Sequence, residues 1–244
     1  MIDIKPTWSS PPYGLLLQPS EVHIWKAPLL LPHAQYERLK TFLSENELAR
    51  SEQYLFAHLR DHFIASRGIL RDLLGRYLNC PPESIRFEYN AFGKPSVAGQ
   101  NSLHFNLSHS NGVALLAFQK KQPLGIDVQH LDDAINLLQT GALVFSPREM
   151  EVLQGLSPEN LRTVFYQFWT RKEAYIKALG KGFSAPLNQI DVHQAPERPV
   201  LNNENGLPET TDWFVRDFIP CPGYAAALAT KGKDWQFSFY NFEI

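Results

Sequence analysis

A long helical segment in the second half of the chain constrains the fold most. Apolar residues recur at three- and four-residue spacing from Leu161 to Ala178, and Gly180 follows at a position typical of a helix end. A second helical pattern runs from Phe63 to Leu78 and ends before Pro81-Pro82, because proline disfavours a helical residue before it. The chain therefore contains two long helices that each need a layer to pack against.

Two capping boxes predict the starts of further helices. Ser44 is followed three residues later by Glu47, and Ser146 is followed by Pro147 and then by Glu149. In this pattern the serine and glutamate side chains each accept a free backbone N–H of the first turn, and proline suits the first helical position. We expect a helix to begin directly after each serine.

Short strand-like runs surround these helices. They cover residues 21–25, 85–89, 103–107, 113–118 and 124–128 before the long helix, and 213–218, 224–229 and 235–239 after it. Asn111-Gly112 is a strong tight-turn signal, so we expect a hairpin there. The order predicts an α+β fold with an N-terminal half, residues 1–125, and a C-terminal half, residues 126–244, each with a small antiparallel sheet.

Two segments show neither the helical nor the alternating strand pattern of apolar residues. Residues 7–19 are rich in proline and serine, which predicts an extended arm. Residues 195–211 combine proline, glycine and asparagine, which predicts a mobile surface loop.

Composition excludes several classes of protein. Of the 244 residues 44% are hydrophobic, enough to bury a core, so a disordered chain is excluded. A net charge of −2 argues against a nucleic-acid binder, and no stretch approaches the roughly 18 apolar residues of a membrane span. Cys80 and Cys221 form no C-x-x-C pair, so neither a disulfide framework nor a zinc cluster is predicted. Since the first ten residues show no signal-peptide pattern, we expect a cytoplasmic protein.

The first candidate for chemistry is Asp127, near the end of the run from Leu124 to Val128. Side-chain alternation places Asp127 and Gln129 on one face of a strand, with Val128 opposite. Two oxygen donors that project together suit a hard cation such as Mg²⁺. The alternative is that Asp127 is an ordinary turn or helix-cap residue.

The second candidate lies on the long helix. Trp169, Glu173 and Lys177 are four residues apart and share one stripe, and Phe165 and Ile176 make that side apolar. An ordinary surface Glu–Lys pair, worth only about 0.3–0.5 kcal/mol, would give the same spacing. Together with the carboxylate of the strand, however, Glu173 would complete a metal site between two elements.

Two weaker candidates precede these. Ser108 and His109 follow a strand just before the tight turn, where a histidine can contact phosphate or act as a base. The plain alternative is a polar hairpin end. His104 and His109 lack a third His or Cys at ligand spacing, which disfavours a transition-metal site. Lys94 lies in the turn Ala91–Pro95, which would hold it in one place, although turn lysines are usually solvated.

The order of these elements resembles one enzyme family. The segments FGKP, NLSHS, GIDVQ and FWTRKEAYIKALGKG follow one another as they do in phosphopantetheinyl transferases of the surfactin-synthetase-activating (Sfp) type. The resemblance spans about residues 42 to 190, and the last two segments together are specific. The length resembles that of the monomeric, two-lobed members and not that of the half-length members that form trimers.

The resemblance implies a pseudo-twofold α/β protein that binds coenzyme A and Mg²⁺ between its lobes. It implies transfer of the 4′-phosphopantetheine arm of coenzyme A to a serine of an apo acyl or peptidyl carrier protein, with release of 3′,5′-ADP. By motif, the metal ligands would be Asp127 and Glu173, the base Glu173, the pyrophosphate contacts Lys177 and His109, and the other coenzyme contacts Ser108, Lys94 and Arg50, with Arg60 and Arg67 as looser candidates.

The sequence departs from the family at Gln129, where many members have Glu. An amide oxygen can still coordinate Mg²⁺, but the site loses one negative charge. The departure therefore bears on metal affinity and on the choice between Mg²⁺ and Mn²⁺.

Two other functions compete with the transferase. One is a carrier-protein-binding homologue without activity. It would not need the carboxylates of Asp127 and Glu173 together with Lys177, His109 and Lys94, so their joint presence argues against it. Another coenzyme A-using enzyme, such as an acyltransferase, would need no metal dyad, so metal dependence separates the two. Carrier domains usually present an acidic helix, and we expect them to dock near residues 91–95 and after Val128.

Overall fold

The computed structural model describes residues 6–100, 102–132, 135–182, 187–193, 213–232 and 234–243. The predicted mobile loop at residues 195–211 lies outside these ranges. None of the helices within them is long and apolar enough to cross a lipid bilayer.

The described residues form six α-helices. They are α1 (His33–Lys40), α2 (Glu45–Ser51), α3 (Ala57–Leu78), α4 (Leu137–Val144), α5 (Pro147–Gln154) and α6 (Pro158–Leu179). The two longest, α3 and α6, correspond to the two helical patterns of the sequence, and left-handed residues Asn79 and Gly180 end them. The capping boxes predicted at Ser44 and Ser146 are both present.

Nine strands of the described ranges form two sheets and a short ribbon. They are β1 (Glu21–Pro28), β2 (Phe87–Tyr89), β3 (Pro95–Val97), β4 (His104–Ser110), β5 (Val113–Gln119), β6 (Leu124–His130), β7 (Trp213–Phe218), β8 (Tyr224–Lys231) and β9 (Gln236–Asn241). The first sheet has the order β4-β5-β1-β9, the second has the order β6-β8-β7, and β2 pairs with β3. The hairpin predicted at Asn111-Gly112 joins β4 to β5.

Several features differ from the expectation. Helix α1 was not predicted, because only Leu39 of its eight residues is buried and no side chain caps its start. Helix α4 and the three-residue strand β3 were not predicted either. Strand β9 crosses the boundary predicted near residue 125, since it pairs with β1 in the first sheet. That pair is parallel, whereas every other neighbouring pair of described strands is antiparallel.

Three apolar clusters hold the layers together. One joins α3 to β1, β4 and β5, and includes the fully buried Trp25 and Phe118. A second joins α5 and α6 to β7 and β8 around Phe165 and Tyr175. The third lies between the two sheets, where Ile24 of β1 and Ile126 of β6 are both buried. The sheets therefore lie back to back, with one long helix on each outer side.

Helix α6 lies directly on the backbone of β6 at Gly125. A Cβ atom added there would lie 2.0 Å from the carbonyl oxygen of Ala174 and 2.4 Å from the amide nitrogen of Ala178. No other residue type fits this position without moving the helix, because both contacts are with backbone. Glycine at this point lets the residues of the helix approach those of the strand.

The two halves meet along β4 and β6 through side chains. These two strands do not pair through backbone hydrogen bonds. Instead, alternate side chains of β4 accept hydrogen bonds from the backbone N–H groups of β6. The acceptors Asn106, Ser108 and Ser110 receive the amides of Ile126, Val128 and His130 at 2.9, 3.3 and 3.0 Å. This line of contacts, called the seam below, satisfies buried amides that would otherwise lack partners.

Substitution of Gly125 tests the close approach of α6 to β6. We expect Gly125→Ala to destabilise the fold by about 3 kcal/mol or more, because the added methyl group meets backbone atoms that cannot turn away. The free energy of unfolding in urea measures the effect. Gly155→Ala is the matched control, since its added Cβ meets nothing closer than 3.6 Å at a negative φ. It should be neutral or stabilising by about 0.5 kcal/mol. Equal effects of the two substitutions would contradict the packing described.

Candidate active site

Asp127 lies on β6 at the seam and is 1% exposed. Its Oδ1 accepts a hydrogen bond from the Ser108 hydroxyl at 2.7 Å and from the Lys177 ammonium at 2.6 Å. Its Oδ2 accepts one from the Gln129 amide at 3.1 Å. Asp127 and Gln129 thus share a face, as predicted, while Val128 is buried between the sheets. A buried carboxylate needs donors of this kind to offset its lost hydration.

Lys177 joins the two halves at the same point. It extends from α6, and its ammonium also donates to the Ser108 hydroxyl at 2.8 Å and to the Ile126 carbonyl at 3.2 Å. Its side chain keeps 27% of its surface exposed, whereas that of Asp127 keeps 2%. The ammonium therefore neutralises the buried carboxylate and still reaches solvent.

Glu173 lies one helical turn before Lys177. Both residues line a cavity of about 210 Å³, together with Asn106 and the turn around Gly93. Burial, followed by the nearby charge of Asp127, raises the pKa of the Glu173 carboxyl, and the Lys177 charge offsets this in part. The charges of Asp127 and Lys177 therefore act on the Glu173 carboxyl in opposite directions.

A larger cleft of about 620 Å³ adjoins this cavity, since Gly93 and Pro95 line both. Its wall is rich in cations and aromatic rings. The basic side chains are Arg50, Arg67, Arg71, Arg86 and His109, and the aromatic ones Tyr54, Phe63, Phe87 and Tyr89. Such a surface suits a ligand that combines phosphate groups with a flat ring.

Two arginines of the cleft are held by one buried carboxylate. Glu47, the capping-box residue of α2, accepts hydrogen bonds from Nε of Arg67 and from Nε of Arg71, each at 2.7 Å. Burial alone would raise the pKa of Glu47, but the two guanidinium groups lower it below its usual value. Both guanidinium groups also lie over the Phe87 ring, at 4.5 and 5.1 Å from its centre. The Glu47 carboxylate therefore holds both guanidinium groups in place, and the three groups together carry one net positive charge.

His109 faces the same cleft from the end of β4. Burial lowers the pKa of its imidazole, and the charges of Lys177 and His62 lower it further. The neutral ring is therefore favoured in the folded protein. A bound anion beside it would shift the balance towards the charged form.

Of the two remaining predicted residues, Arg60 lies apart from this cluster, whereas Lys94 lines the small cavity. Arg60 is not among the residues that line the cleft, and it lies 3.8 and 3.9 Å from the carboxylates of Glu52 and Asp61. The Lys94 ammonium donates to backbone carbonyls of β6 and α6. Burial lowers the pKa of Lys94 to about 8, so it stays largely protonated at neutral pH.

Comparison with known proteins gives a consistent result. Residues 123–229 match the model of the 4′-phosphopantetheinyl transferase superfamily, and residues 31–121 match that of the 4′-phosphopantetheinyl transferase N-terminal region. The 4′-phosphopantetheinyl transferase HetI of Nostoc sp. is 36% identical over 242 residues, which cover 98% of this chain and 100% of the relative. The chain belongs to the 4′-phosphopantetheinyl transferase superfamily.

More distant relatives agree with this. The transferase Sfp of Bacillus subtilis is 26% identical over 206 residues, which cover 84% of this chain and 89% of the relative. Among solved structures, the holo-[acyl-carrier-protein] synthase of Thermotoga maritima covers 46% of this chain and 65% of its own, with 19% identity and a TM-score of 0.35. That likeness is too weak to establish the fold by itself.

Several residues of the transferase's cleft were not singled out in the sequence. Glu47 was assigned only a capping role, and Arg71 only a place on a helix. Their connection could have been suspected from the spacing of Arg67 and Arg71, four residues apart on one helical face. Arg86 was hidden in a strand-like run. Only the fold brings these side chains to one wall.

Replacement of Lys177 tests the electrostatics of the transferase site. We expect Lys177→Met to raise the pKa of His109, because a positive charge is removed. NMR titration of the histidine Hε1 signals measures it, and Lys121→Met, an exposed lysine, is the control. In the folded wild type the pKa of His109 lies below 6.5, the ordinary value of a histidine. Because the unfolded chain takes up the proton more readily, the free energy of unfolding decreases as the pH drops below about 6.5. Lys177→Met should make this decrease smaller. An unchanged His109 titration would contradict the described arrangement.

Proposed function

We propose that this transferase moves the phosphopantetheine arm of coenzyme A onto a serine of an apo acyl or peptidyl carrier protein, with Mg²⁺ held by Asp127 and Glu173. The observation that supports it is the buried Asp127 carboxylate paired with Lys177 at the seam, with Glu173 one helical turn before that lysine and a cationic cleft beside them. Membership of the superfamily supports the reaction, whose donor and acceptor are those of the family.

The chemistry of the donors fits a hard divalent cation. Asp127 and Glu173 offer carboxylate oxygens, and burial first, then the charge of Asp127, raises the pKa of Glu173. A divalent cation bound by both carboxylates would offset the repulsion between their charges. Within the described ranges no three His, Cys, Asp or Glu side chains gather into a metal-binding group, so the protein would supply few ligands. Magnesium commonly binds through one or two carboxylates and substrate phosphates. Mn²⁺ suits the same oxygen donors.

The cleft fits coenzyme A. Its cationic wall suits the phosphates of the nucleotide end, and Tyr54, Phe63 and Tyr89 offer ring faces for an adenine base. We assign Arg50 and Arg67 to this end, and Ser108, His109 and Lys177 to the pyrophosphate, where cleft and small cavity adjoin. The contact of Lys94 with the coenzyme, implied by resemblance, stays a prediction, as does that of Arg60.

In the reaction, the serine oxygen of the carrier attacks the β-phosphorus and the bond to the 3′,5′-ADP oxygen breaks. Glu173 takes the serine proton directly or through water. Lys177 and His109 donate hydrogen bonds where negative charge grows on the leaving pyrophosphate oxygen. Bound Mg²⁺ supplies charge neutralisation of the phosphates. The rest of catalysis is positioning of the two substrates.

The intact mass of an apo carrier protein tests the function. We expect wild-type protein, coenzyme A and Mg²⁺ to add one phosphopantetheine, and EDTA to abolish the gain. Glu173→Ala and Asp127→Asn should slow transfer by at least about a hundredfold, the effect of losing a charged group at the transition state. Glu159→Ala, on the exposed first turn of the same helix, is the matched control.

Two outcomes would contradict the proposal. If no carrier of fatty-acid, polyketide or peptide synthesis gains mass while coenzyme A still binds, the chain is a binding homologue without activity. If transfer survives both EDTA and Glu173→Ala, the metal and base are wrongly assigned.

Gln129 offers a finer test of the metal site. Its amide nitrogen donates to Asp127, so Gln129 also holds the proposed ligand in place. We expect Gln129→Glu to tighten Mg²⁺ and Mn²⁺ binding, because it adds a negative charge beside two carboxylates. Calorimetric titration of each metal measures the change, with Gln139→Glu on the exposed end of α4 as the control. An unchanged titration would remove Gln129 from the coordination shell.

The surroundings of the site support the expected partner and place of action. Phe92 and Leu143 are exposed, at the predicted docking turn and in the segment after Val128, and suit an apolar contact with a carrier domain. Free Cys80 and Cys221 fit the reducing cytoplasm. We propose that the transferase acts there as a monomer, without nucleic-acid or membrane partners.

A further inference from the structure

The turn between β2 and β3 is built around one asparagine. Oδ1 of Asn90 accepts hydrogen bonds from the backbone N–H groups of Phe92 and Lys94, each at 2.9 Å, and the backbone N–H of Asn90 donates to the Lys94 carbonyl at 3.1 Å. An asparagine that bonds to its own following backbone fixes a turn in one conformation. Lys94 therefore leaves this turn in a defined direction.

The side chains of Lys94 and Asn90 both contact the C-terminal half of the protein. The Lys94 ammonium donates to the carbonyls of Lys177 at 2.6 Å, Ala178 at 3.1 Å and Leu124 at 3.0 Å. The Asn90 side-chain amide donates to the Gly180 carbonyl at 2.8 Å. The last carbonyls of a helix have no partner within it and carry the negative end of its dipole. A cation and an amide from the N-terminal half therefore cap α6.

These bonds use the whole hydrogen-bonding capacity of the Lys94 ammonium, which has three N–H groups. One acceptor belongs to Lys177 itself, and another, Leu124, starts the strand that carries Asp127. Lys94 thus connects the helix of Glu173 and Lys177 to the strand of Asp127. The turn also lines both cavities through Gly93 and Pro95.

We propose that Lys94 and Asn90 are positioning residues, which hold the last turn of α6 against β6 and so set the distance from Asp127 to Glu173 and Lys177. The proposal rests on the proposed site. A positioning role of Lys94 and a direct contact of Lys94 with the coenzyme predict different effects of substitution. A ligand of the coenzyme affects its binding, whereas a positioning residue affects the rate after binding. A shift of about 1 Å in a reacting group can cost about a hundredfold in rate.

Three variants test it. Lys94→Met removes the cation at similar volume, Lys94→Arg keeps donors for the carbonyls, and Asn90→Ala removes the second cap while keeping the lysine. Lys121→Met, an exposed lysine of the β5–β6 turn, is the matched control. The measurements are kcat at saturating coenzyme A and carrier, the Kd of coenzyme A by calorimetry, and hydrogen exchange of the amides at residues 177–180.

We expect Lys94→Met to lower kcat by about ten- to a hundredfold while the Kd of coenzyme A changes less than about twofold. Lys94→Arg should restore most of the rate, Asn90→Ala should lower kcat in the same way, and exchange at residues 177–180 should speed up in the two impaired variants. If Lys94→Met does not fold, Asn90→Ala carries the test. A raised Kd with unchanged kcat would overturn the proposal in favour of a coenzyme contact, and unchanged values of both would overturn either role. A wild type that transfers nothing to any carrier would instead refute the proposed function.

Discussion

The contact between the backbones of α6 and β6 is the constraint on which the site depends. Because Gly125 has no side chain, the helix lies directly on the strand, and Lys177 reaches Asp127 with Glu173 one helical turn before it. The seam then sets the N-terminal half against the same strand, since Ser108 bonds at once to the strand amide, the carboxylate and the lysine. Close packing therefore brings the residues of the two halves together.

Charge is distributed unevenly over this frame. Beside the small cavity the charge of Lys177 acts on two carboxylates, Asp127, with which it pairs, and Glu173, which lines the cavity; this favours an added cation. In the larger cleft two arginines share one carboxylate, Glu47, and Arg50 and Arg86 add further positive charge, which favours an added anion. Neighbouring sites of opposite preference suit a substrate that brings phosphates and a metal together. The ion pairs also place each charge before a ligand arrives, so little rearrangement is needed on binding.

Much of this could be predicted from local patterns. Caps, turns and periodicity identified α3, α5, α6 and the β4–β5 hairpin, because neighbours in sequence determine those features. Alternation also placed Asp127 beside Gln129. The sequence did not reveal that β9 returns to the first sheet, that Glu47 holds two arginines, or that Lys94 caps a helix more than eighty residues away. Those contacts depend on tertiary packing, which no local pattern encodes.

The position of a bound metal tests the account most directly. Crystals grown with coenzyme A and Mn²⁺, measured at the manganese absorption edge, would give an anomalous peak at the ion. The account predicts one peak at the seam, coordinated by the carboxylates of Asp127 and Glu173 and by the pyrophosphate of the coenzyme. A peak coordinated by neither carboxylate, or a coenzyme bound outside the cleft of Arg50, Arg67 and His109, would contradict it.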